Sequence, residues 1–166
     1  MLKIMISLAV VAVAAFADGP VLKTGQTTEY RAGDDGTYMT GIARSYTRDG
    51  VNGVVTDNAT GLEWQDDAVG SSMNWDAAQT HCAGLSIDGG GWRVPTVEEL
   101  VSITDKSRVD PSIDPLFQNV TSRSYWSSTI GASDSTAAWT VNFNHGNDGW
   151  GSKTVITYVR CVRGGQ

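Results

Sequence analysis

The sequence predicts an α+β domain, with two helices packed on short antiparallel sheets and one disulfide. Three observations carry that reading. Short apolar runs punctuated by Gly, Asn and Asp turns lie towards both ends of the chain, and two amphipathic stretches lie between them. The only two cysteines, Cys82 and Cys161, sit on the first amphipathic stretch and near the C-terminus.

The first residues set what counts as the folded protein. Lys3 is followed by an almost unbroken apolar run from Ile4 to Phe16, and Ala15-Phe16-Ala17 supplies a small-x-small cleavage pattern. That run is shorter than the about 20 residues a bilayer span needs, so residues 1–17 read as a signal peptide. Residues 18–36 form a polar, Gly-rich lead-in, and residues 37–166 a single domain. No membrane span is expected in the mature chain, which would be exported to the cell surface, the extracellular space or the periplasm.

From Tyr38 the chain becomes strand-like. "GIARSY", "GVVTD" and "GLEWQ" are separated by Asp49-Gly50, Asn52-Gly53 and Asn58 to Gly61, which predicts an antiparallel meander with Leu62 and Trp64 on one side. Asn74 is a good N-cap, and Trp75, Ala78, Cys82 and Leu85 recur at helical spacing as one apolar stripe. Gly89-Gly90-Gly91 interrupts the chain before Trp92. A second helix follows Pro95, with Thr96 and Glu99 as a capping box, Val97, Leu100 and Val101 facing inward and Lys106 near its negative end. "DPSIDPLF" is expected to be irregular and pinned by Ile113 and Phe117. "SYWSS" reads as a strand, and Trp139, Val141 and Phe143 alternate with Thr140, Asn142 and Asn144 as another. Residues 145–152 read as a loop, and residues 154–163 as a central strand covered on both faces.

Composition narrows the function. Eighteen acidic residues against twelve Lys plus Arg give a formal charge of −6, which disfavours nucleic acid, anionic membranes and sulfated polysaccharides. An even cysteine count in an exported chain reads first as one disulfide, spanning 79 residues. The rival, a catalytic or metal-binding thiol pair, would need help from His, and neither histidine lies at ligand spacing from a cysteine.

In order along the chain stand "DNATGLEWQDD", "WDAAQTHCAGL", "GGWRVPTVEELVSI", "YWSST", "AWTVNF" and "YVRCVRGG". Together they resemble the Legionella collagen-like protein C-terminal domain family, over Gly25 to Gly165. The resemblance implies a C-type-lectin-like fold in which a cysteine on the first helix pairs with one on the last strand, as Cys82 and Cys161 would. Some members resemble adhesins for sulfated glycosaminoglycans, often trimeric on a collagen-like stalk; this chain has no collagen repeat and is acidic. Relatives with a similar end sequence serve as diversified receptors of retroelement systems, displaying exposed residues of the last two strands and their loop. Asn142, Asn144, Asn147 and Trp150 match that display surface.

The residue chemistry of the same region points to binding. His145, Asn147 and Asp148 share a stretch with Asn142 and Asn144, and their donors and acceptors suit sugar hydroxyls or a protein backbone. Trp150 lies among glycines and polar residues, where an exposed aromatic can anchor a partner. Trp92, Trp126 and Trp139 are expected in the core. Arg93 is expected to be buried against strand carbonyls or an acidic neighbour, and Arg160 and Arg163 in ordinary ion pairs. Asp34 with Asp35, and Asp148 with Asn147, lack any calcium-loop spacing, so no metal or other cofactor is expected. His81 and Cys82 are adjacent on a helix and point about 100° apart, and no nucleophile, base and orienting group share a motif. The sequence therefore predicts a non-enzymatic binding or adhesion domain. Its surface would be residues 140–153, with Asn142, Asn144, His145, Asn147, Asp148, Trp150 and Lys153 contacting a glycan, a glycoconjugate or a surface protein. The alternatives are a structural subunit that buries this region against another copy as a homo-oligomer, and a retroelement-diversified receptor.

Overall fold

The computed structural model describes residues 21–68 and 70–164; the expected leader, residues 1–17, lies outside them. The first element is a single helical turn, α1 (Asp35–Tyr38). Three strands follow: β1 (Tyr46–Asp49), β2 (Val54–Asp57) and β3 (Leu62–Gln65). Next come β4 (Ser72–Met73), α2 (Trp75–Gly84), a 3-10 turn at Ile87–Gly89, and α3 (Val97–Ser102). The last third holds β5 (Ser124–Ile130), β6 (Ala137–Asn142), β7 (Asn147–Ser152), β8 (Thr157–Tyr158) and β9 (Val162–Gly164). Two sheets form, of order β1-β2-β3-β9 and β4-β8-β5-β6-β7. The class is α+β.

Local rules account for most elements. The meander is present, with Val55 opposite Trp64, and Leu62 and Trp64 are buried on a shared face. Asn74 caps α2 by accepting the Ala77 N–H at 2.9 Å. The capping box of α3 is complete: Thr96 Oγ1 accepts the Glu99 N–H, and Glu99 Oε2 accepts the Thr96 N–H. The three glycines before Trp92 all have positive φ, between 80° and 88°, which L side chains rarely adopt.

Three expectations need correction. The "GIARSY" run is strand only from Tyr46; before it, Ile42 pairs with Leu22 in an isolated bridge, and Arg44 donates to the carbonyls of Lys23 and Ser102. A third helix, α1, is capped by Asp34; four residues are too few for an apolar period to reveal it. Residues 154–163 are not one strand. They hold β8, which lies between β4 and β5, and β9, which leaves that sheet and pairs with β3 in the other. Val159 to Val162 is buried because the chain passes between the sheets there, and burial on all sides looks the same in sequence as a central strand.

The core has two parts. One gathers Val55, Leu62 and Trp64 with Leu100 and Ile103 beside α3, and Tyr125, Val141 and Phe143 from the five-stranded sheet. The other gathers Ala78 and Cys82 of α2 with Trp92, Trp126, Ala138 and Val159. Neighbouring residues of β5, Tyr125 and Trp126, serve different clusters, so α3 and α2 use opposite faces of the five-stranded sheet. Cys82 and Cys161 form a disulfide within the second cluster, with Cα atoms 5.5 Å apart. This joins α2 to the stretch between β8 and β9.

At the junction of the sheets sits Asp66, wholly buried. Its carboxylate accepts from Arg48 Nε at 3.0 Å, Arg160 Nη1 at 2.9 Å, and the Gln118 and Asn119 N–H groups, both at 3.0 Å. Arg160, 2% exposed, also donates to the carbonyls of Gln65 and Asn119. This is not the ordinary surface pairing expected of Arg160. It is a desolvated network in which every carboxylate oxygen has two donors.

Two outcomes follow for stability. Replacing Asp66 with Ala leaves Arg160 buried without its anion and should cost about 3–5 kcal/mol in denaturant unfolding. A loss under 1 kcal/mol would show that the network is not needed. Replacing both cysteines with Ser should cost about 2–4 kcal/mol and lower the melting temperature; an unchanged midpoint would remove the disulfide from the account.

Candidate functional site

The expected recognition loop is mostly strand. β7 occupies Asn147–Ser152 and pairs with β6 in unbroken register, from Asn142 opposite Asn147 to Ala137 opposite Ser152. Gly149 and Gly151 suggest a loop in sequence, but an edge strand tolerates glycine where a neighbour supplies the ladder. The connecting turn is only Phe143 to Gly146. Gly146 has φ +71° and is buried, and a Cβ there would lie 3.0 Å from Ser112 Oγ.

That turn is held from several directions. Asp110 N–H donates to the Asn144 carbonyl at 2.8 Å, and Ser112 N–H to the Phe143 carbonyl at 2.7 Å. Asn142 Oδ1 accepts the Asn144 N–H at 2.8 Å, while its Nδ2 donates to Ser124 Oγ. Lys106 does not serve the end of α3; its ammonium donates to the Gly146 carbonyl. Asn142 is therefore a positioning residue with both amide atoms engaged.

The register also divides the expected site. Side chains opposite one another in an antiparallel pair share a face, and successive ones alternate. Asn142 and Asn147 thus lie on one face, whereas Asp148 and Trp150 lie on the other with Val141 and Trp139. Trp150 is 66% exposed, and Trp139 is half-buried rather than in the core. Lys153 leaves the group altogether. Its Nζ donates to the Ser135 carbonyl at 2.8 Å and stands 4.2 Å from the centre of the Trp75 ring, fastening the end of β7 to the start of α2.

What the fold does assemble is an open cleft of about 810 Å³ at the end of the five-stranded sheet. Asn142, Asn144 and His145 form one wall; Asp110, Thr121, Ser122, Arg123 and Tyr158 complete it. Sequence reasoning missed these five. The signal for Arg123 was the pairing of "SYWSS" with "AWTVN": continued by one residue it brings Arg123 opposite Phe143, whose N–H donates to the Arg123 carbonyl at 3.0 Å. Arg123 and His145 are exposed, and among the described residues neither side chain makes a hydrogen bond or ion pair.

The Lcl C-terminal domain family model matches residues 53–163. The chain belongs to that family. The match is narrower than the resemblance in sequence, since it starts at Gly53, after β1, but it contains both cysteines and the whole β5–β6–β7 unit. No curated protein matches the chain at significant similarity.

The other singled-out residues of this Lcl C-terminal domain are engaged elsewhere. Trp92 and Trp126 are buried. Arg163 pairs with Glu63 and Asp88 and lies over the Trp92 ring, which ties β9 to the Gly-rich turn. Asp34 is occupied as the α1 cap; N–H groups, led by that of Tyr30, hold its carboxyl below the usual range. Among the described residues no three His, Cys, Asp or Glu side chains stand together as metal ligands.

Arg93 meets an acidic neighbour in a two-pronged pair with Glu99 at 2.6 and 2.7 Å, but it is exposed and not buried as expected, because the pair lies at the open end of α3. Burial pushes the Glu99 carboxyl up, but hydrogen bonds from Arg93 and from the Thr96 N–H outweigh it and hold it below the usual glutamate value. A depressed value stabilises the fold fully above the unfolded pKa, near 4.3, and that contribution is lost as pH falls through the folded value. The stability difference between wild type and Glu99→Gln should therefore shrink between about pH 5 and pH 3. Parallel curves over that window would contradict the assignment.

Proposed function

We propose that this chain is a secreted, non-enzymatic binding domain that recognises a glycan or glycoconjugate at the cleft ending the five-stranded sheet. Family membership supports a surface-related role. The observation that carries the ligand reading is the combination of a rigid wall and free polar groups. The Phe143–Gly146 turn is fixed by backbone and side-chain bonds from several segments, while Arg123 and His145 stand beside it without side-chain partners among the described residues. Unpaired donors on an immobile support bind hydroxyls with little ordering cost. The net charge of −6 weighs against long polyanions and for a neutral or singly charged sugar.

A C-type-lectin-like frame is part of the same proposal, supported by the disulfide from the first long helix to the chain's final segment. An enzyme reading gains nothing from the cysteines, which are bonded to each other, and a cell-surface or extracellular site agrees with the leader expected at residues 1–17. A protein ligand is the second reading, favoured by exposed Trp150 on the outer strand.

A glycan array with neutral, uronic-acid and sulfated sugars, followed by titration of the best ligand, tests the cleft. Arg123→Ala should weaken binding about tenfold or more, since a hydrogen bond from a charged group contributes about 1.5–3 kcal/mol, and Asn144→Ala several-fold, since a neutral one contributes about 0.5–1.5 kcal/mol. Absence of any sugar ligand, or wild-type affinity in both variants, would sink the proposal.

A further inference from the structure

β7 is the outer strand of its sheet. Among the described residues, no main-chain hydrogen bond joins Asn147–Gly151 to anything but β6. Outer strands normally carry protection against pairing: lysines, prolines, bulges, or a covering loop. β7 has one charge, Asp148, no proline and no lysine, and its register with β6 is unbroken over six residues. Its largest side chain, Trp150, is exposed and lies directly across from Trp139.

We infer that β7 pairs antiparallel with β7 of a second copy of this chain, about a two-fold axis at Trp150. A two-fold perpendicular to a sheet keeps the same face of both copies up, so facing residues must share parity along the strand. With Trp150 on the axis, Trp150 meets Trp150 of the other copy, Gly149 meets Gly151, and Asp148 meets Ser152. Three features of β7 suit this register. The two indoles extend the Trp139–Trp150 pair into a row of four on one face, and cross-strand aromatic pairs are among those that stabilise sheets. The glycines, which have no side chains to clash, face each other on the opposite face. The Asp148 carboxylates fall at opposite ends, each beside a hydroxyl.

Because the contact uses the same patch on both copies, it closes as a dimer and does not propagate into a fibre. The result is a ten-stranded sheet with a sugar cleft on each half. The pairing uses the sheet edge and not the cleft, so its test is independent of sugar binding.

Sedimentation of the exported wild-type chain over a hundredfold concentration range should show a monomer–dimer equilibrium. Trp150→Lys should halve the limiting mass without shifting the melting temperature measured at concentrations where the wild type is monomeric. As a check that does not rely on removing Trp150, Gly149→Cys and Gly151→Cys chains would be mixed under mild oxidation. Added Cβ atoms at these positions have room, with nearest neighbours 4.0 and 3.9 Å away. A disulfide-linked pair should form in the mixture and not with either variant alone. A wild-type chain that stays monomeric throughout would overturn the inference. So would a dimer that survives Trp150→Lys and gives no mixed cross-link.

Discussion

Asp66 lies where four stretches of chain meet: β1 through Arg48, the end of β3, the 118–119 segment, and the final segment through Arg160. A carboxylate out of contact with water is tolerated only when its lone pairs and its charge are both satisfied, and here each oxygen has two donors, one from an arginine and one from the backbone. The requirement is mutual, because Arg160 is as deeply buried and needs an anion. These four stretches are therefore held together by a polar constraint with strict geometry, to which the apolar clusters add their packing. The disulfide adds a covalent tie from α2 to the residue following Arg160.

This arrangement governs the site at a distance. The final segment passes between the sheets at Arg160, so β8 can lie beside β5 and bring Tyr158 to the cleft. From the other side, the irregular stretch after α3 reaches the hairpin turn through Asp110 and Ser112, and Lys106 closes onto Gly146. The turn is short, its conformation is set by one buried glycine, and the carbonyls of Phe143, Asn144 and Gly146 are used. A polar surface built this way presents few degrees of freedom to be lost on binding. The outer strand differs. β7 is anchored at both ends, by the turn and by Lys153 against Trp75, yet its free edge and Trp150 face outward.

Two surfaces with different chemistry thus occur on one hairpin. The turn and cleft offer separated hydrogen-bonding groups suited to hydroxyls, whereas the strand offers a flat backbone and an indole suited to another strand. Expecting one continuous patch from residues 140–153 merged them. In a pleated strand, neighbours in sequence point in opposite directions, so Asn147 and Asp148 cannot serve the same face.

The class, the meander, both longer helices with their caps, and the cysteine pair were legible in the sequence because each depends on local spacing or on a count. Leu62 with Trp64, the α2 stripe and the Thr96–Glu99 box involve residues within one or two turns of each other, where backbone geometry leaves little choice. What only the tertiary structure decided involves partners remote in the chain. Asp66 looks like any acidic turn residue until Arg160 arrives from 94 positions away, and residues 154–163 look like one strand until the two sheets claim separate parts of it. The glycines of β7 favour a loop locally, and β6 overrules them by supplying the hydrogen bonds that a strand needs. Local preferences amount to fractions of a kcal/mol per residue, whereas burying a charge or completing a ladder involves several, and so the long-range terms prevailed wherever the two disagreed.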